Sequence, residues 1–445
     1  MFLRLLKSNQ VSSFHVQNFG CRASQADGAA IESALVAKGM CSRGLAEAEL
    51  IVLNTCTVTA LADQDVRKAV HRVHRENPGA RILITGCYAQ RAPQELAILP
   101  GVYWVVGNSH KVEIPEIITP YQTITPYHGE IHVGQIHVGD ILATHEFLSA
   151  PVEDAAGDRT RPNLKIQDGC NNRCSFCIIP FVRGPSRSAT AEQVIAQVRN
   201  LAGRYREVVL SGINLGRWGR DSSSNLRLAG LIRRLLDETE VARLRLSSVE
   251  PMDWSDDLLD LVASSARIAK HVHAPLQSGS DKVLRRMHRK YRPRHYEDRV
   301  LKARAAMPDA AIGADVMTGF PGETAEEFEE SRSFIESLPF TYLHVFTYSE
   351  RPGTPAAASP GQVPIETRKE RNRILRELAA SKNLEFRRGM IGRKLSVVTL
   401  AEGALSDNFV KVELATPRPA NQLVDVTIGS LSPTGVREHS ALRVL

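Results

Sequence analysis

The stretch Cys170-Asn171-Asn172-Arg173-Cys174-Ser175-Phe176-Cys177 offers three thiolates from one short loop. Structural zinc takes four closed ligands, so this spacing serves that use only with a fourth ligand from elsewhere in the chain. A 4Fe-4S cluster takes one ligand per iron, and three cysteines leave one iron open. An open iron can bind a substrate or a cofactor, so the loop points to chemistry at a metal. It follows LKIQDG (164–169), which reads as a strand. Five more strand candidates come after it: EVVLSG (207–212), RLRLSS (243–248), KHVHAPL (270–276), AIGADVMTG (311–319) and YLHVFTY (342–348). Helical patterns such as AEQVIAQVRNLAG and DDLLDLVASS lie between them. Six βα units predict a parallel barrel or partial barrel, whose active site is built from loops at the carboxyl ends of the strands. The cysteine loop falls there, as do SGINLG, SSVEP, PLQSGSD, TGFPGET and YSERPGT. Their Gly, Ser and Pro residues let backbone approach a ligand closely, although turn chemistry alone accounts for any single one of them.

Upstream, three more cysteines are far apart in sequence but alike in context. FHVQNF, from Phe14, alternates as a short strand does and runs into Gly20-Cys21. ELIVLNT (49–55) is a continuous apolar run of the buried parallel kind and ends at Cys56, and RILITG (81–86) ends at Cys87. VYWVVGN (102–108) gives a fourth strand, and helical segments AAIESALVAKG and VRKAVHRVHRE alternate with these runs. In an open parallel α/β sheet, ligands collect outside the carboxyl ends of the strands. Cys21, Cys56 and Cys87 can therefore meet at one edge, as a second three-thiolate set with an open iron. Three ordinary buried cysteines are the competing reading. Cys41, in GMCSRG, reads as incidental, and His71 and His74 as part of a solvated basic helical face.

Composition sets the frame. A chain of 445 residues suggests two to four domains, and 43% hydrophobic with 24% charged residues suits ordinary globular cores. The net charge of +7 favours a polyanionic partner such as nucleic acid, although a basic surface without a partner has the same charge. Seven cysteines is an odd number for a disulfide framework. No run approaches the length needed to span a bilayer, and MFLRLLKSNQ turns polar too soon for a secretory signal, so the expected location is cytoplasmic. Residues 121–160 read as a linker with an embedded strand pair; the histidine-containing HGEIHVGQIHVGDI lies in it. After a charged helix (ETRKERNRILRELAASKNLEFRRG), KLSVVTLA, FVKVEL, LVDVTIG and GVREHSALRVL predict a small β-barrel. Arg387, Arg388, Arg393 and Lys394 cluster at its entrance. Small barrels of this kind carry oligonucleotides through backbone charge contacts; a barrel that only packs on the rest of the chain is the alternative.

The Cys170/Cys174/Cys177 triplet, with Phe176 before its last cysteine, resembles the signature of radical S-adenosylmethionine (SAM) enzymes. Gly20-Cys21-Arg22, Asn54-Thr55-Cys56-Thr57-Val58-Thr59 and Gly86-Cys87-Tyr88-Ala89-Gln90 resemble the three N-terminal cysteine motifs of the methylthiotransferase branch. One departure is Ser24, where the family usually carries Asn. The tail resembles a TRAM domain, an RNA-binding module. The resemblance implies an α/β protein: an N-terminal open parallel α/β domain (12–120), the linker (121–160), a radical SAM partial (β/α)6 barrel (161–384) and a TRAM-like β-barrel (385–445). It implies two 4Fe-4S clusters, at Cys21/Cys56/Cys87 and Cys170/Cys174/Cys177, and SAM. Phe176, Gly212, Asn214, Ser247, Gln277 and Asp315 fall in the segments that contact SAM in the family, and Arg183 is a candidate anion or substrate contact. One SAM would methylate sulfur at the N-terminal cluster, and a second, on the triplet's cluster, would yield the 5′-deoxyadenosyl radical. Within the family, NTCTVT with Ala62-Asp63, and GCYAQ, are most similar to the branch that adds a methylthio group to C2 of N6-threonylcarbamoyladenosine at position 37 of tRNA. The implied partners are tRNA and an electron donor such as flavodoxin or ferredoxin. Rival readings are methylthiolation of isopentenyladenosine in tRNA or of a ribosomal-protein aspartate and, from another class, a non-catalytic iron–sulfur or zinc RNA-binding protein. The oligomeric state is not implied.

Overall fold

The computed structural model describes residues 11–118, 133–144, 147 and 160–440. Most of the expected linker, with His128 and His132, lies outside the described residues. The chain divides into two compact units. The first holds the N-terminal region together with 168–171 and 178–187; the second holds 157–167, 172–177 and everything from 188 on.

The first unit is a six-stranded parallel sheet. Its strands are β1 (Ser13–Asn18), β2 (Cys41–Ser42), β3 (Leu50–Thr55), β4 (Arg81–Gly86), β5 (Val102–Val106) and β6 (Gln135–His137), in the order β2-β1-β3-β4-β5-β6. Every residue of β3 is buried, as its unbroken apolar run requires of a strand covered on both faces. One core layer packs Ile51, Leu53, Ile82 and Ile84 against Val66, Val70 and Val73 of the Ala60–Glu76 helix. The other packs Leu50, Val52, Leu83 and Trp104 against Ile31 and Leu35 of the Arg22–Ala37 helix. Thr59 caps the Ala60–Glu76 helix by accepting from Ala62 N–H. The sequence pattern located the four long strands; β2 and β6 are too short to show a period.

The second unit carries the six βα repeats. After β7 (Asn163–Asp168) and the short β8 (Arg187–Ser188) come β9 (Glu207–Gly212), β10 (Arg243–Leu246), β11 (His271–His273), β12 (Ala311–Thr318) and β13 (Tyr342–Thr347). They form two sheets, β10-β9-β7-β8 and β11-β12-β13, linked by the Leu244–Ile268 bridge. The helices Ala191–Ala202 and Ala325–Ser337 begin with full capping boxes, at Thr190/Gln193 and Thr324/Glu327. The tail forms a closed barrel of β14 (Lys394–Thr399), β15 (Ala404–Ser406), β16 (Lys411–Glu413), β17 (Leu423–Leu431) and β18 (Val436–Glu438).

The tail barrel is fastened to the larger one by buried polar groups. Arg245 on β10 donates to both carboxylate oxygens of Glu207 on β9, at 2.8 and 3.1 Å, and to the carbonyls of Ser406 and Asp407. Arg161 and Arg243 also face Glu207, at 3.2 and 3.7 Å. Burial opposes ionisation of Glu207, but Arg245, Arg161 and Arg243 prevail and hold its pKa at about 2. Phe409, at φ 63°, stacks on His271 with ring centroids 4.4 Å apart.

Candidate functional site

In the first unit, Cys21, Cys56 and Cys87 stand just past β1, β3 and β4, three adjacent strands of the sheet. Backbone at this edge is tight. Gly20, at φ +95°, lies so close to Cys56 that an added Cβ would sit 2.4 Å from Cys56 Cβ and 2.8 Å from its Sγ. Gly86, at φ +99°, would set a Cβ 2.4 Å from the carbonyl oxygen of Thr55. Only glycine takes such a backbone at this approach without strain. Cys56 and Cys87 are buried and Cys21 is exposed. Burial first, then the neighbouring Cys87 and Cys21, push the Cys56 thiol up to about 12. A buried thiol that resists ionisation, with two more cysteines beside it, suits a cationic centre, which deprotonates its thiol ligands outright. The donor set therefore fits an iron–sulfur cluster.

A buried charge network lies beside these cysteines. Arg183, 1% exposed, donates to Asp168 at 2.9 Å and to Asp27 at 3.0 Å, and Lys111 donates to Asp27 at 2.9 Å. The guanidinium is buried and held by two carboxylates rather than lying on the surface. Despite the cost of burial, Asp168, Cys87 and Asp27 keep Arg183 firmly charged, whereas burial lowers the pKa of Lys111. Ser24 links this network to the cluster edge, since its Oγ accepts from Arg183 at 3.4 Å and lies 3.7 Å from Cys21 Sγ. Asn54, from NTCTVT, donates to the carbonyl of Ser24 and to Asn18 Oδ1. Asp27, Lys111, Asp168, Arg183 and Arg187 line a cavity of about 380 Å³. Arg183 and Ser24 stand out in the sequence as single positions; Asp27, Lys111 and Asp168 are spread over more than 140 positions and carry no local signal.

In the triplet loop, Cys170, Cys174 and Cys177 are all partly exposed. Cys170 N–H donates to the Gly184 carbonyl at 3.1 Å. Ser175 anchors the other end, donating from N to the Met287 carbonyl at 3.1 Å and from Oγ to the Arg286 carbonyl at 2.7 Å. Arg289 donates to Cys174 Sγ at 3.3 Å and pairs with Glu250. Burial works against its charge, but Tyr291, Glu250 and Cys174 hold Arg289 protonated. A guanidinium donating to this sulfur complements the negative charge that a metal-bound thiolate carries. Arg289 was missed from sequence because it lies 115 positions from the cysteine it serves.

Around this loop, Phe176 packs on the buried Val283, Met287, Phe320, Tyr348 and Ala356. Gly212 ends β9, where a Cβ would press on Gln167 at 3.0 Å, and Asn214 N–H donates to Gln167 Oε1 at 2.6 Å. Ser247 follows β10, its Oγ buried without a hydrogen-bond partner among the described residues. Gln277, at φ 65°, donates from N to the Asp315 carbonyl at 2.8 Å and accepts from Met317 N–H. The side chain of Asp315 turns elsewhere. His273 and His344 lie against its carboxylate and, although burial opposes them, hold it well below the usual range.

In the tail, Arg387 donates to the carbonyls of Ser432 and Gly435, both at 2.9 Å. Arg393 pairs with Asp309, and Lys394 with Asp425 at 3.0 Å. Arg388 is exposed. These four cations are thus near one another in the chain but differ in engagement. His71 and His74 are exposed.

Six βα repeats in two sheets, with a three-cysteine loop after the first strand, are the layout of a radical SAM protein, and the Radical SAM superfamily model matches residues 164–335. Residues 13–107 match the uncharacterized protein family UPF0004. The threonylcarbamoyladenosine tRNA methylthiotransferase MtaB of Aquifex aeolicus is 36% identical over 415 residues, covering 93% of this chain and 99% of the relative. The MtaB of Bacillus subtilis is 40% identical over 363 residues, covering 81% of this chain and 78% of that one. Among solved structures, the radical S-adenosylmethionine methyltransferase TsrM of Kitasatospora setae aligns with a TM-score of 0.53 at 15% identity, over 78% of this chain and 77% of that one, a likeness of fold. The chain belongs to the radical SAM methylthiotransferase family, in its MtaB-type branch.

Proposed function

We propose that this enzyme adds a methylthio group to C2 of N6-threonylcarbamoyladenosine at position 37 of tRNA, giving the 2-methylthio derivative. The observation that carries the reading is the pairing of two three-cysteine sets in a chain similar over 93% of its length to a protein named for that reaction. An aromatic C2–H has no acidic proton and no leaving group, so acid–base catalysis suits it poorly and radical chemistry suits it well. When bound, a cluster at Cys170, Cys174 and Cys177 supplies reductive cleavage of SAM, and one at Cys21, Cys56 and Cys87 supplies the sulfur chemistry.

The chain's own residues then have definable tasks. Arg289 donates to the Cys174 sulfur and would hold its cluster's charge, and Arg183 acts on Cys21 through Ser24, the position where the family usually carries Asn. Phe176, Gly212, Asn214, Ser247 and Gln277 are the proposed SAM contacts. Asp315 contributes there through its main chain, which carries Gln277. Residues 12–120, 161–384 and 385–445 act as cluster, catalytic and RNA-binding domains, with 121–160 as a connecting segment that adds β6 to the first sheet. Arg387, Arg388, Arg393 and Lys394 meet the tRNA backbone; exposed Arg388 is the freest to do so. Flavodoxin or ferredoxin supplies electrons. No helix among the described residues is long and apolar enough to cross a membrane, in keeping with work on tRNA in the cytoplasm. Anaerobic incubation of the reconstituted enzyme with SAM, dithionite and tRNA bearing threonylcarbamoyladenosine tests this reading. Both 5′-deoxyadenosine and the methylthio nucleoside should form. Absence of 5′-deoxyadenosine refutes the enzyme reading, and its formation with no modified nucleoside refutes the substrate.

A further inference from the structure

The second unit contains another set of metal-type donors, away from every cysteine in sequence. His273 on β11, Asp315 on β12 and His344 on β13 come together because the strands are parallel and in register. Asp315 stands directly across from His344, and His273 pairs with Gly313, two residues before Asp315 on the same face. His273 Nε2 lies 3.2 Å from Asp315 Oδ2, and His344 Nδ1 lies 3.1 Å from Asp315 Oδ1. One ligand atom from each residue falls within 4.8 Å of the others. Tetrahedral zinc with bonds near 2.0–2.1 Å separates its ligand atoms by about 3.3 Å.

We propose that His273, Asp315 and His344 bind a divalent cation of the zinc or ferrous class, through His273 Nε2, the Asp315 carboxylate and His344 Nδ1. Two imidazoles and a carboxylate are a borderline donor set that such ions favour over calcium or magnesium.

Two further features indicate a built site rather than a chance cluster. The first is the orientation of His273. Its side chain is 6% exposed, and Nε2, buried without a hydrogen-bond partner among the described residues, faces the carboxylate at 3.2 Å. Tyr342 Oη lies 2.8 Å from His273 Nδ1 and 2.6 Å from His271 Nε2. The phenol has one proton. Donated to His271, that proton leaves the phenol oxygen to accept from His273 Nδ1–H, and Nε2 then turns a bare lone pair toward the carboxylate, an arrangement that a cation completes; donated to His273 Nδ1, it leaves Nε2–H facing Asp315, the metal-free state. Such a partner on the second nitrogen is the usual device for orienting a ligating histidine. The second feature is Gly313. A Cβ there would lie 2.0 Å from Tyr342 Cζ, so the glycine lets the phenol ring lie across β12 and reach both histidines. Three protein ligands leave a position open. His344, 52% exposed, lines a cavity of about 250 Å³ together with Arg387 and Lys411, whose charge suits water or an anionic oxygen as the remaining ligand.

The test is metal content of the holoenzyme, with both clusters in place so that the six cysteines are occupied. Protein equilibrated anaerobically with zinc and desalted should retain about one zinc per chain, with only nitrogen and oxygen at about 2.0 Å in its X-ray absorption fine structure. His344→Ala, at a half-exposed position where folding is safe, should lose at least about tenfold in zinc affinity while keeping its iron and sulfide. His273→Gln, checked by circular dichroism, should behave alike. Failure of the wild-type holoenzyme to retain zinc, sulfur in the zinc shell, or undiminished zinc in His344→Ala overturns the proposal. None of these readouts depends on the tRNA substrate.

Discussion

Replacing Gly20 by Ala tests the cysteine edge of the N-terminal sheet most sharply. The new methyl would lie 2.4 Å from Cys56 Cβ and 2.8 Å from its Sγ, on a backbone held at φ +95°. A positive φ costs a non-glycine residue about 1–2 kcal/mol, and forcing a methyl into a packed site costs about 1–3 kcal/mol. Neither contact is with the free end of a flexible chain, so Cys56 and the turn that carries Cys21 must move. The combined cost of about 2–5 kcal/mol falls on the geometry of two of the three ligands and weakens retention of their cluster roughly 30-fold or more. After anaerobic reconstitution, iron should fall from about eight to about four per chain. Formation of 5′-deoxyadenosine should stay within about twofold of wild type, because the Cys170/Cys174/Cys177 loop is untouched, while the methylthio nucleoside disappears. A Gly20→Ala protein that holds its full iron and forms product normally would refute the reasoning.

Two further outcomes follow from the same structure. Cys56→Ala should spare SAM cleavage and abolish methylthiolation, whereas Cys174→Ala should abolish both; equal cleavage defects in the two variants would contradict a division of labour between the clusters. Glu207→Gln leaves the buried Arg245 without its carboxylate and should cost about 3–5 kcal/mol in urea unfolding of the second unit. Glu207 is held at about 2, below its ordinary 4.5, so its contribution is complete above about pH 4.5 and is lost as pH falls from there through about 2. The loss amounts to about 3 kcal/mol. Urea midpoints taken between pH 6 and 3 should fall less steeply in Glu207→Gln than in wild type; parallel slopes would show that the carboxylate does not drive the change.

Much of this was legible from sequence because it is local. β3, β4 and the six barrel strands are short apolar or alternating runs bounded by turn residues, and each cysteine follows its strand within a few positions. Parallel pairing of neighbouring strands then brings Cys21, Cys56 and Cys87 to one edge without further information. What stayed hidden depends on register and on distant pairs. Arg183 with Asp27, and Arg289 with Cys174, join positions 156 and 115 apart. The alternating histidines of HVHAP hinted that two imidazoles share a face, but nothing in that segment indicates that β12 and β13 set Asp315 and His344 beside them. Phe409 shows the same limit: its contact with His271 exists only once the tail barrel is seated.

The most direct test of the central claim is nucleoside mass spectrometry of tRNA from cells lacking the gene, complemented with wild-type or Cys56→Ala protein. The account predicts loss of 2-methylthio-N6-threonylcarbamoyladenosine, accumulation of N6-threonylcarbamoyladenosine, and restoration by the wild-type chain alone. Loss of the methylthio group from isopentenyladenosine instead, or tRNA unchanged by the deletion, would contradict it.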